Sequence, residues 1–449
     1  MNQTYDLTVG DTKKKIISFF IPLFFSNMLQ QFYSIADTTI VGKGIDDNAL
    51  AAVGNMASIS FLIIGFCIGL TSGFSVLISQ FYGAKDYKKL RNYLSASLLL
   101  TIFLSLMMTT ASLLYLKDIL VLMQTKEVII GDSLAYGFIM FGGLSITMFY
   151  NFTSSILRAL GDSKTPFITI VISTILNIVL DIVFIFVFKW GVAGAAIATV
   201  FSQFVSTALC YLKLRKITFI HLSLKDFDIS LKTFFELLRN GIPMAIMNSI
   251  TAVGCMVVQY FVNGLGVAYT TAFSACSKFI NLFMQPACSA GNTMSSFTSQ
   301  NYGAQKYDRI KEGLKICLTI ALISYLLLGS IMFLFPSALA RIMINGSRPV
   351  SLAVLYFKRC GIMLWAVDFL FIFRSGTQGM GKPFIPMLSG VLEMIMRVVV
   401  IMNFLPVYGF KITAYSEIAA WVGALLLNIF AFIYSYNKLA KKDVILAVN

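Results

Sequence analysis

The stretch Ser79-Gln-Phe-Tyr-Gly-Ala-Lys-Asp-Tyr87 recurs 220 residues later as Ser299-Gln-Asn-Tyr-Gly-Ala-Gln-Lys-Tyr307, with six of the nine positions identical. Two further pairs of motifs keep the same order along the chain: Ile21-Pro22 with Ile242-Pro243, and Gly161–Pro166 with Gly379–Pro383. We interpret this order as an internal duplication. The chain should therefore contain two structurally similar halves.

The composition indicates what kind of halves these are. Of the 449 residues, 58% are hydrophobic and only 12% are charged, and the mean hydropathy is +0.82. An ordinary soluble protein is about 45–50% apolar and about 25% charged, so this chain has too few polar residues to cover a soluble protein of its size. A soluble enzyme, a disordered chain and a disulfide-rich secreted scaffold are excluded. The composition predicts an integral membrane protein made mostly of spanning helices.

Twelve stretches are long and apolar enough to cross a membrane as helices, which takes about 20 mostly apolar residues each. They lie at roughly 16–40, 51–80, 93–115, 128–157, 167–188, 191–212, 237–263, 268–298, 314–340, 351–377, 384–405 and 412–437. Because each half holds six spans, both halves have the same orientation, and the pseudo-two-fold axis runs along the membrane normal. We predict an N-terminal lobe at 1–212, a linker at 213–236 and a C-terminal lobe at 237–449.

Lys and Arg residues are distributed unevenly between the two ends of these spans. The chain has 35 Lys and Arg against 20 Asp and Glu, a net charge of +15. An even number of spans puts both termini on one side, and that side holds 24 Lys and Arg against 9 on the other. Since basic loops stay in the cytoplasm, we predict that both termini and the linker are cytoplasmic in a bacterial cell membrane. The basic residues lie in short loops, which argues against nucleic-acid binding.

The chain lacks the usual components of a catalytic or metal site. Its seven Cys residues are scattered without a C-x-x-C pair, and its single His, His221, lies in the polar linker. A His-based triad or His metal site is therefore not expected, and no nucleotide-binding motif is complete. We expect a monomer that is not an enzyme and needs no cofactor.

Three groups of residues resemble those of the bacterial MATE (multidrug and toxic compound extrusion) transporters. They are the paired Q-x-Y-G-A-x-x-Y loops, Arg158-Ala-Leu-Gly-Asp-Ser-Lys-Thr-Pro166 and Asn177-Ile-Val-Leu-Asp181. The resemblance implies an all-α membrane protein whose twelve transmembrane helices form two pseudo-symmetric six-helix lobes around a central cleft. It also implies a secondary active antiporter that exports cationic or amphipathic drug-like compounds in exchange for H⁺ or Na⁺ by alternating access.

The same resemblance marks residues that would bind the coupling ion. In the first lobe these are Asp37, Asn177, Asp181 and Thr199. Asp368 resembles the second-lobe carboxylate of the sodium-coupled branch. That branch also has an acid in the seventh helix, where this chain has Thr251, and this departure argues against a complete second-lobe sodium site. Apart from Na⁺ at Asp37 and Asp181, no metal is expected.

Charged side chains inside spans are costly, by about 2.5–3.5 kcal/mol at mid-helix on insertion scales, and indicate function by default. The candidates here are Asp37, Asp181, Lys278, Asp368, Glu393, Arg397 and Glu417. Glu393 and Arg397 are four residues apart, so they face each other on one side of a helix and predict a local, structural ion pair. In the repeat they occupy the positions of Asn177 and Asp181. Only the first half therefore has an uncompensated carboxylate there, and such a group can take up or release a proton.

Depth in the membrane predicts that Asp37 and Asp181 are neighbours. Asp37 lies six residues before Lys43, about 9 Å along a helix, and Asp181 lies eight residues before Lys189, about 12 Å. Both helices run outward, so the two carboxyl groups should lie at similar depth in the outer half of the first lobe. The alternative is two separate, water-facing acids with a structural role.

A cleft that binds flat cations suits soft sulfur atoms, aromatic faces and amides. The candidates to line it are Met28, Gln31, Tyr33, Asn151, Tyr260 and Met284. For the apolar members, ordinary helix packing is the alternative, whereas an amide inside a span usually finds a partner or a cavity.

Other functions would leave different residues in the spans. A flippase of a lipid-linked substrate on the same fold should line its cavity with several Arg or Lys to hold a diphosphate, whereas the first-lobe spans carry acids. A membrane-bound transferase would need a catalytic His or clustered carboxylates. A channel does not explain why the two halves differ at Asp181 and Arg397. Ion-coupled export of small molecules is the leading hypothesis, and the flippase is the alternative.

Overall fold

The computed structural model describes residues 6–448, without the side chains at positions 35, 43, 47, 58 and 440–448. Within this part of the chain there are fifteen α-helices and no strand. The helices are Thr12–Gly44 (α1), Asp47–Gly83 (α2), Tyr87–Leu122 (α3), Glu127–Gly142 (α4), Leu144–Ala159 (α5), Lys164–Ile182 (α6), Gly191–Leu214 (α7), Leu231–Asn263 (α8), Val267–Phe283 (α9), Gln285–Gly303 (α10), Tyr307–Leu334 (α11), Pro336–Met343 (α12), Ser347–Gly379 (α13), Phe384–Tyr408 (α14) and Lys411–Val448 (α15). A π-helical turn, Val183–Val187, continues α6, and two 3₁₀ turns, Thr218–Ile220 and Leu224–Phe227, lie in the linker.

The helices account for eleven of the twelve predicted spans. Ten of those described are individually long and apolar enough to cross a membrane, and α4 with α5, bent by 44° at their junction, forms an eleventh. The predicted span 268–298 is not one helix, because α9 ends at Phe283 and α10 starts at Gln285. Pro286, at the start of α10, lacks an amide hydrogen and suits a first helical turn, so a new helix begins there. The many Ser, Thr, Asn and Gln residues of α10 make it less apolar than a typical span.

The described residues divide into two compact units. The first contains Ile21–Ala245, and the second contains Leu7–Phe20 together with the chain from Ile246 onward. Helices α1 and α8 are each divided between the units, and each has a proline, Pro22 or Pro243, beside the dividing point. A proline inside a helix removes one backbone hydrogen bond, so the helical ladder is interrupted where the chain passes from one unit to the other. The sequence-based lobe bounds stay a prediction.

Small residues of α2 allow close packing inside the first unit. A Cβ atom on Gly69 would lie 2.5 Å from the backbone of Ala245, and one on Gly73 would lie 2.4 Å from the carbonyl oxygen of Asn240. Both distances are shorter than a real carbon contact, so only glycine fits. Gly69 and Gly73 therefore allow α2 to pack closely against the part of α8 that belongs to the first unit.

The duplicated motif has a structural role in each unit. In the first unit, the ring of Tyr82 stacks on Phe219 with centroids 5.7 Å apart. One turn into α3, Arg91 Nε donates to Asp226 Oδ1 over 3.1 Å, and Asn92 Nδ2 donates to the carbonyl oxygen of Asp228 over 3.0 Å. Tyr82 of the first copy and the first turns of α3 thus hold the linker segment that leads into α8.

In the second unit, the other copy holds the segment that leads into α1. The amide of Leu7 donates to Gln300 Oε1 over 2.9 Å, and Lys306 Nζ donates to the carbonyl oxygen of Thr8 over 2.8 Å. Arg309 donates to the carbonyl oxygens of Leu7 and Gly10 over 3.2 and 2.9 Å. Each copy, together with the start of the helix that follows it, therefore contacts the segment before the first helix of a repeat.

The predicted pair of Glu393 and Arg397 is part of a larger buried network in the second unit. Arg397 Nη2 lies 3.6 Å from Glu393 Oε2 and 3.0 Å from Glu417 Oε2. Arg374 of α13 forms an ion pair with Glu393 and donates to Ser389 Oγ over 2.9 Å. Two cations and two anions from three helices thus neutralise each other. The predicted ion pair of Glu393 and Arg397 is confirmed, but its further partners Arg374 and Glu417 were not predicted.

We expect Arg309→Gln to destabilise the protein, because hydrogen bonds from a charged donor contribute about 1.5–3 kcal/mol each. The melting temperature of the purified protein should fall clearly below that of the control Lys311→Gln, which changes an exposed side chain on the same helix. Equal melting temperatures for the two variants would contradict a role for Arg309 in holding the segment before α1.

Removing one partner of the buried network should be severe. Glu393→Gln leaves Arg374 without its carboxylate, and an uncompensated buried charge costs about 3–5 kcal/mol in soluble proteins. The yield of monodisperse protein, measured by fluorescence-detected size exclusion, should drop. Adding Arg374→Gln should restore part of it, because Arg397 and Glu417 still pair. The idea fails if Glu393→Gln expresses like the wild type, or if the double variant is no better than the single one.

Candidate functional site

The first unit brings two acids together. Asp37 lies on α1 and Asp181 lies on α6, where its side chain is fully buried. Their carboxyl groups lie within hydrogen-bonding reach of each other, so the neighbourhood that the depth argument predicted is confirmed. Among the described side chains, no Lys, Arg or His forms an ion pair with either acid.

Asn177 and Thr199 complete this cluster. In the orientation that satisfies both ends of its amide, Asn177 donates to Asp181 Oδ2 over 2.8 Å and accepts from the backbone amide of Thr199 over 3.1 Å. The hydroxyl groups of Tyr33 and Thr199 share a hydrogen bond of 3.2 Å. Asn177 and Asp181 are four residues apart and so lie on one face of α6, as their spacing predicted.

Tyr136 of α4 was missed by the sequence analysis. It is buried, and its phenol is close enough to Asp37 and Asp181 to interact electrostatically with both. The sequence contains 19 Tyr residues, and one Tyr within an apolar stretch does not differ visibly from another. Only the packing of α4 against the rest of the unit reveals this neighbour.

The backbone after Asp181 is irregular. The regular helix ends at Ile182, and the amide of Phe188 donates to the carbonyl oxygen of Val183 over 2.9 Å, which is the i to i+5 pattern of a π-helical turn. Such turns occur frequently at functional sites because they re-aim the side chains around them. The π-helical turn Val183–Val187 begins two residues after Asp181, which agrees with a functional site at Asp181.

The chemistry of the cluster follows from its oxygen atoms. An ionised carboxylate is only an acceptor, so a hydrogen bond between two carboxyl groups requires a proton on one of them. If both acids are ionised, a cation must compensate them, and carboxylate, hydroxyl and amide oxygens are ligands for hard cations. The cluster can therefore hold a proton or a small hard cation such as Na⁺.

The second unit has a different arrangement at the equivalent positions. Glu393 and Arg397 stand in the places of Asn177 and Asp181, and their charges are cancelled within the buried network. An acid cluster that has no ion-paired cation among the described residues of the first unit thus corresponds to a network of paired charges in the second unit.

Asp368 lies apart from both arrangements. Its side chain is fully buried in α13, and neither carboxyl oxygen has a hydrogen-bond partner among the described residues. The hydroxyl group of Thr251 donates to the carbonyl oxygen of Met247, in its own helix. The structure therefore shows no oxygen ligand beside Asp368 comparable to Asn177 or Thr199 in the first unit.

The candidate substrate residues are distributed over both units. Met28, Gln31, Tyr33 and Asn151 belong to the first unit, and Tyr260 and Met284 belong to the second. Asn151 donates to the carbonyl oxygen of Thr147 one turn earlier, whereas the ring of Tyr260 is 75% exposed. That these six residues line one cleft stays a prediction.

Comparison with known proteins identifies the family. The family model MatE matches residues 22–183 and 243–402, one match in each half. A probable multidrug resistance protein of Bacillus subtilis, YoeA, is 33% identical over 312 residues, which cover 66% of either chain. A second one, YpnP, is 31% identical over 314 residues and 69% of either chain.

Solved structures share the fold over almost the whole chain. A multidrug resistance MATE family transporter of the MOP superfamily, determined in its outward-facing conformation, superimposes with a TM-score of 0.91 at 23% identity. The match covers 98% of this chain and 99% of that one. With the family model matched in both halves and the helices arranged as in these structures, the chain belongs to the MatE family of multi-pass membrane transporters.

Proposed function

We propose that this protein is a secondary active antiporter that exports cationic or amphipathic drug-like compounds in exchange for H⁺ or Na⁺ by alternating access. The observation that carries the proposal is the pair of Asp37 and Asp181, whose carboxyl groups lie close together but have no cationic partner among the described residues. The names of YoeA and YpnP, both probable multidrug resistance proteins, agree with it.

The acid pair gives the exchange a physical basis. With both acids ionised, the first lobe carries two negative charges that attract a cationic compound. Uptake of a proton or Na⁺ cancels one charge and changes the hydrogen bonds of Asn177 and Thr199. An ion that binds one conformation better than another shifts the balance between them, but only by that difference in affinity.

The coupling site is proposed for the first lobe alone. Glu393 and Arg397 neutralise each other, so neither is available to exchange an ion. Neither carboxyl oxygen of Asp368 has a hydrogen-bond partner among the described residues. It is the reserve candidate if the first-lobe acids prove dispensable.

The membrane orientation is proposed from the distribution of Lys and Arg. Both termini and the linker lie in the cytoplasm, and the acid pair lies in the outer half of the first lobe. A proton or Na⁺ then enters from outside, and its release toward the cytoplasm completes one exchange.

Asp181→Asn should abolish gradient-driven export while leaving the protein folded and able to bind a cationic dye. Asparagine keeps the size and a hydrogen-bond donor but cannot ionise. Export of the dye from proteoliposomes, driven separately by a pH and by a sodium gradient, should fall to the level of empty liposomes. Asp37→Asn should behave in the same way, and the double variant should be little worse than either single one.

The matched control is Asp368→Asn, which changes a buried acid of the second unit and should keep export. Wild-type export by either Asp37→Asn or Asp181→Asn at normal expression would contradict the proposal. The coupling site would then move to Asp368.

A cysteine scan tests the orientation. The seven native Cys are replaced, and a single Cys is introduced at position 221 or at position 441; the side chain at 441 lies outside the described ones. Either Cys should resist an impermeant thiol reagent added to intact cells. Permeabilised cells provide the positive control. Ready labelling in intact cells would show that these positions face the outside and would contradict the proposed topology.

A further inference from the structure

The second unit has a cavity of about 810 Å³ between α12 and α13. Its volume is within the range of roughly 300–1,000 Å³ that is typical of sites for small molecules. The spanning helix α11 ends at Leu334 and the spanning helix α13 begins at Ser347, so the cavity opens where two spans reach the same membrane surface. None of the residues discussed for transport lines it.

One face of α13 forms the longer wall of the cavity. Ser347, Val350, Ser351, Val354 and Leu355 all line it, and their spacing is that of a single helical stripe. Polar serines lie at the start of the stripe and apolar side chains follow. Since eight residues extend about 12 Å along a helix, the wall changes from polar at the membrane surface to apolar about two turns deeper.

Helix α12 forms the other wall and contributes a cation. Ser337 and Arg341, one turn apart on the same face, line the cavity. Arg341 is exposed, and no Asp or Glu forms an ion pair with it among the described residues. By contrast, Arg348 lies over the ring of Tyr269, 5.4 Å from its centroid, and donates to its hydroxyl group over 3.2 Å.

Arg341 lies among exposed apolar side chains. Phe335, Ile342 and Met343 are exposed at 60%, 70% and 45%, while Leu339 and Ala340 on the opposite face of α12 are buried. An exposed cation flanked by exposed apolar side chains suits the membrane interface, where the apolar groups enter the lipid and the cation stays at the headgroups.

The charge of this segment is also one-sided. Between Ile331 and Val367 the sequence has no Asp or Glu but four cations: Arg341, Arg348, Lys358 and Arg359. They lie on the side of the membrane that holds only 9 of the Lys and Arg residues. A local excess of cations on that side requires a separate explanation, and an anionic ligand provides one.

We propose that this cavity binds a membrane phospholipid with an anionic headgroup, with its phosphate at Arg341 and the serines and an acyl chain along Val350, Val354 and Leu355. A soluble anion would leave the apolar half of the cavity empty, and an uncharged lipid would leave Arg341 without a partner. A phospholipid provides a phosphate for Arg341 and an acyl chain for the apolar half of the cavity, and it is present at high concentration beside the open side of the cavity.

Native mass spectrometry of the full-length protein tests this, with phosphatidylglycerol and phosphatidylcholine of identical acyl chains as probes. One cation near an anionic lipid surface corresponds to about a fivefold preference. The wild type should therefore retain phosphatidylglycerol about fivefold better, and Arg341→Gln should lose this preference. Arg348→Gln, seven residues further along the chain, should keep it. Val354→Trp fills the apolar end and should weaken binding of both lipids.

Three outcomes would overturn the proposal. One is equal retention of the two lipids by the wild type. Another is an equal loss in Arg341→Gln and Arg348→Gln, which would indicate a general effect of surface charge. The third is displacement of bound lipid by glycerol phosphate, which has the headgroup without chains and would indicate a site for a soluble anion. Because Arg341 is exposed, its variant should melt at the wild-type temperature, and the comparison does not depend on Val354→Trp folding.

Discussion

The closeness of the carboxyl groups of Asp37 and Asp181 imposes the constraint on which the proposed function depends. Two ionised carboxylates about 4 Å apart repel each other by about 4 kcal/mol at the effective dielectric near a protein surface, and neither can donate a hydrogen bond. The pair is therefore stable only with a proton or a small cation. Asn177 and Thr199 add the polar atoms that such an ion needs, and the absence of an ion-paired cation among the described residues leaves the place open for exchange.

The two halves differ in how the charges of their buried side chains are compensated. Both keep the loop motif, which in each unit holds the segment before the first helix of a repeat. They differ at the positions of Asp181 and Arg397. In the second unit Arg374, Glu393, Arg397 and Glu417 form a neutral network, and a network in which every charge is paired stabilises one packing arrangement without exchanging ions.

Much of this could be predicted because membranes impose simple rules. Span length and the i, i+4 spacing of Asn177 with Asp181 are both local in sequence. What the sequence analysis missed depends on contacts between distant segments. Tyr136 joins the acid pair only through the packing of α4, and Arg374 joins the network from a position near the end of a predicted span. The break at Met284 was not predicted, because the sequence alone does not show that Pro286 lies in the first turn of a new helix.

The most direct test of the central claim measures competition at equilibrium and needs no gradient. The affinity of the purified protein for a cationic dye is titrated against pH at fixed sodium, and against sodium at fixed pH. The account predicts that the wild type and Asp368→Asn lose dye affinity as H⁺ or Na⁺ rises, and that Asp181→Asn binds the dye with an affinity independent of both. An Asp181→Asn protein that keeps the wild-type dependence on H⁺ or Na⁺ would contradict the assignment of the coupling ion to the first-lobe acids.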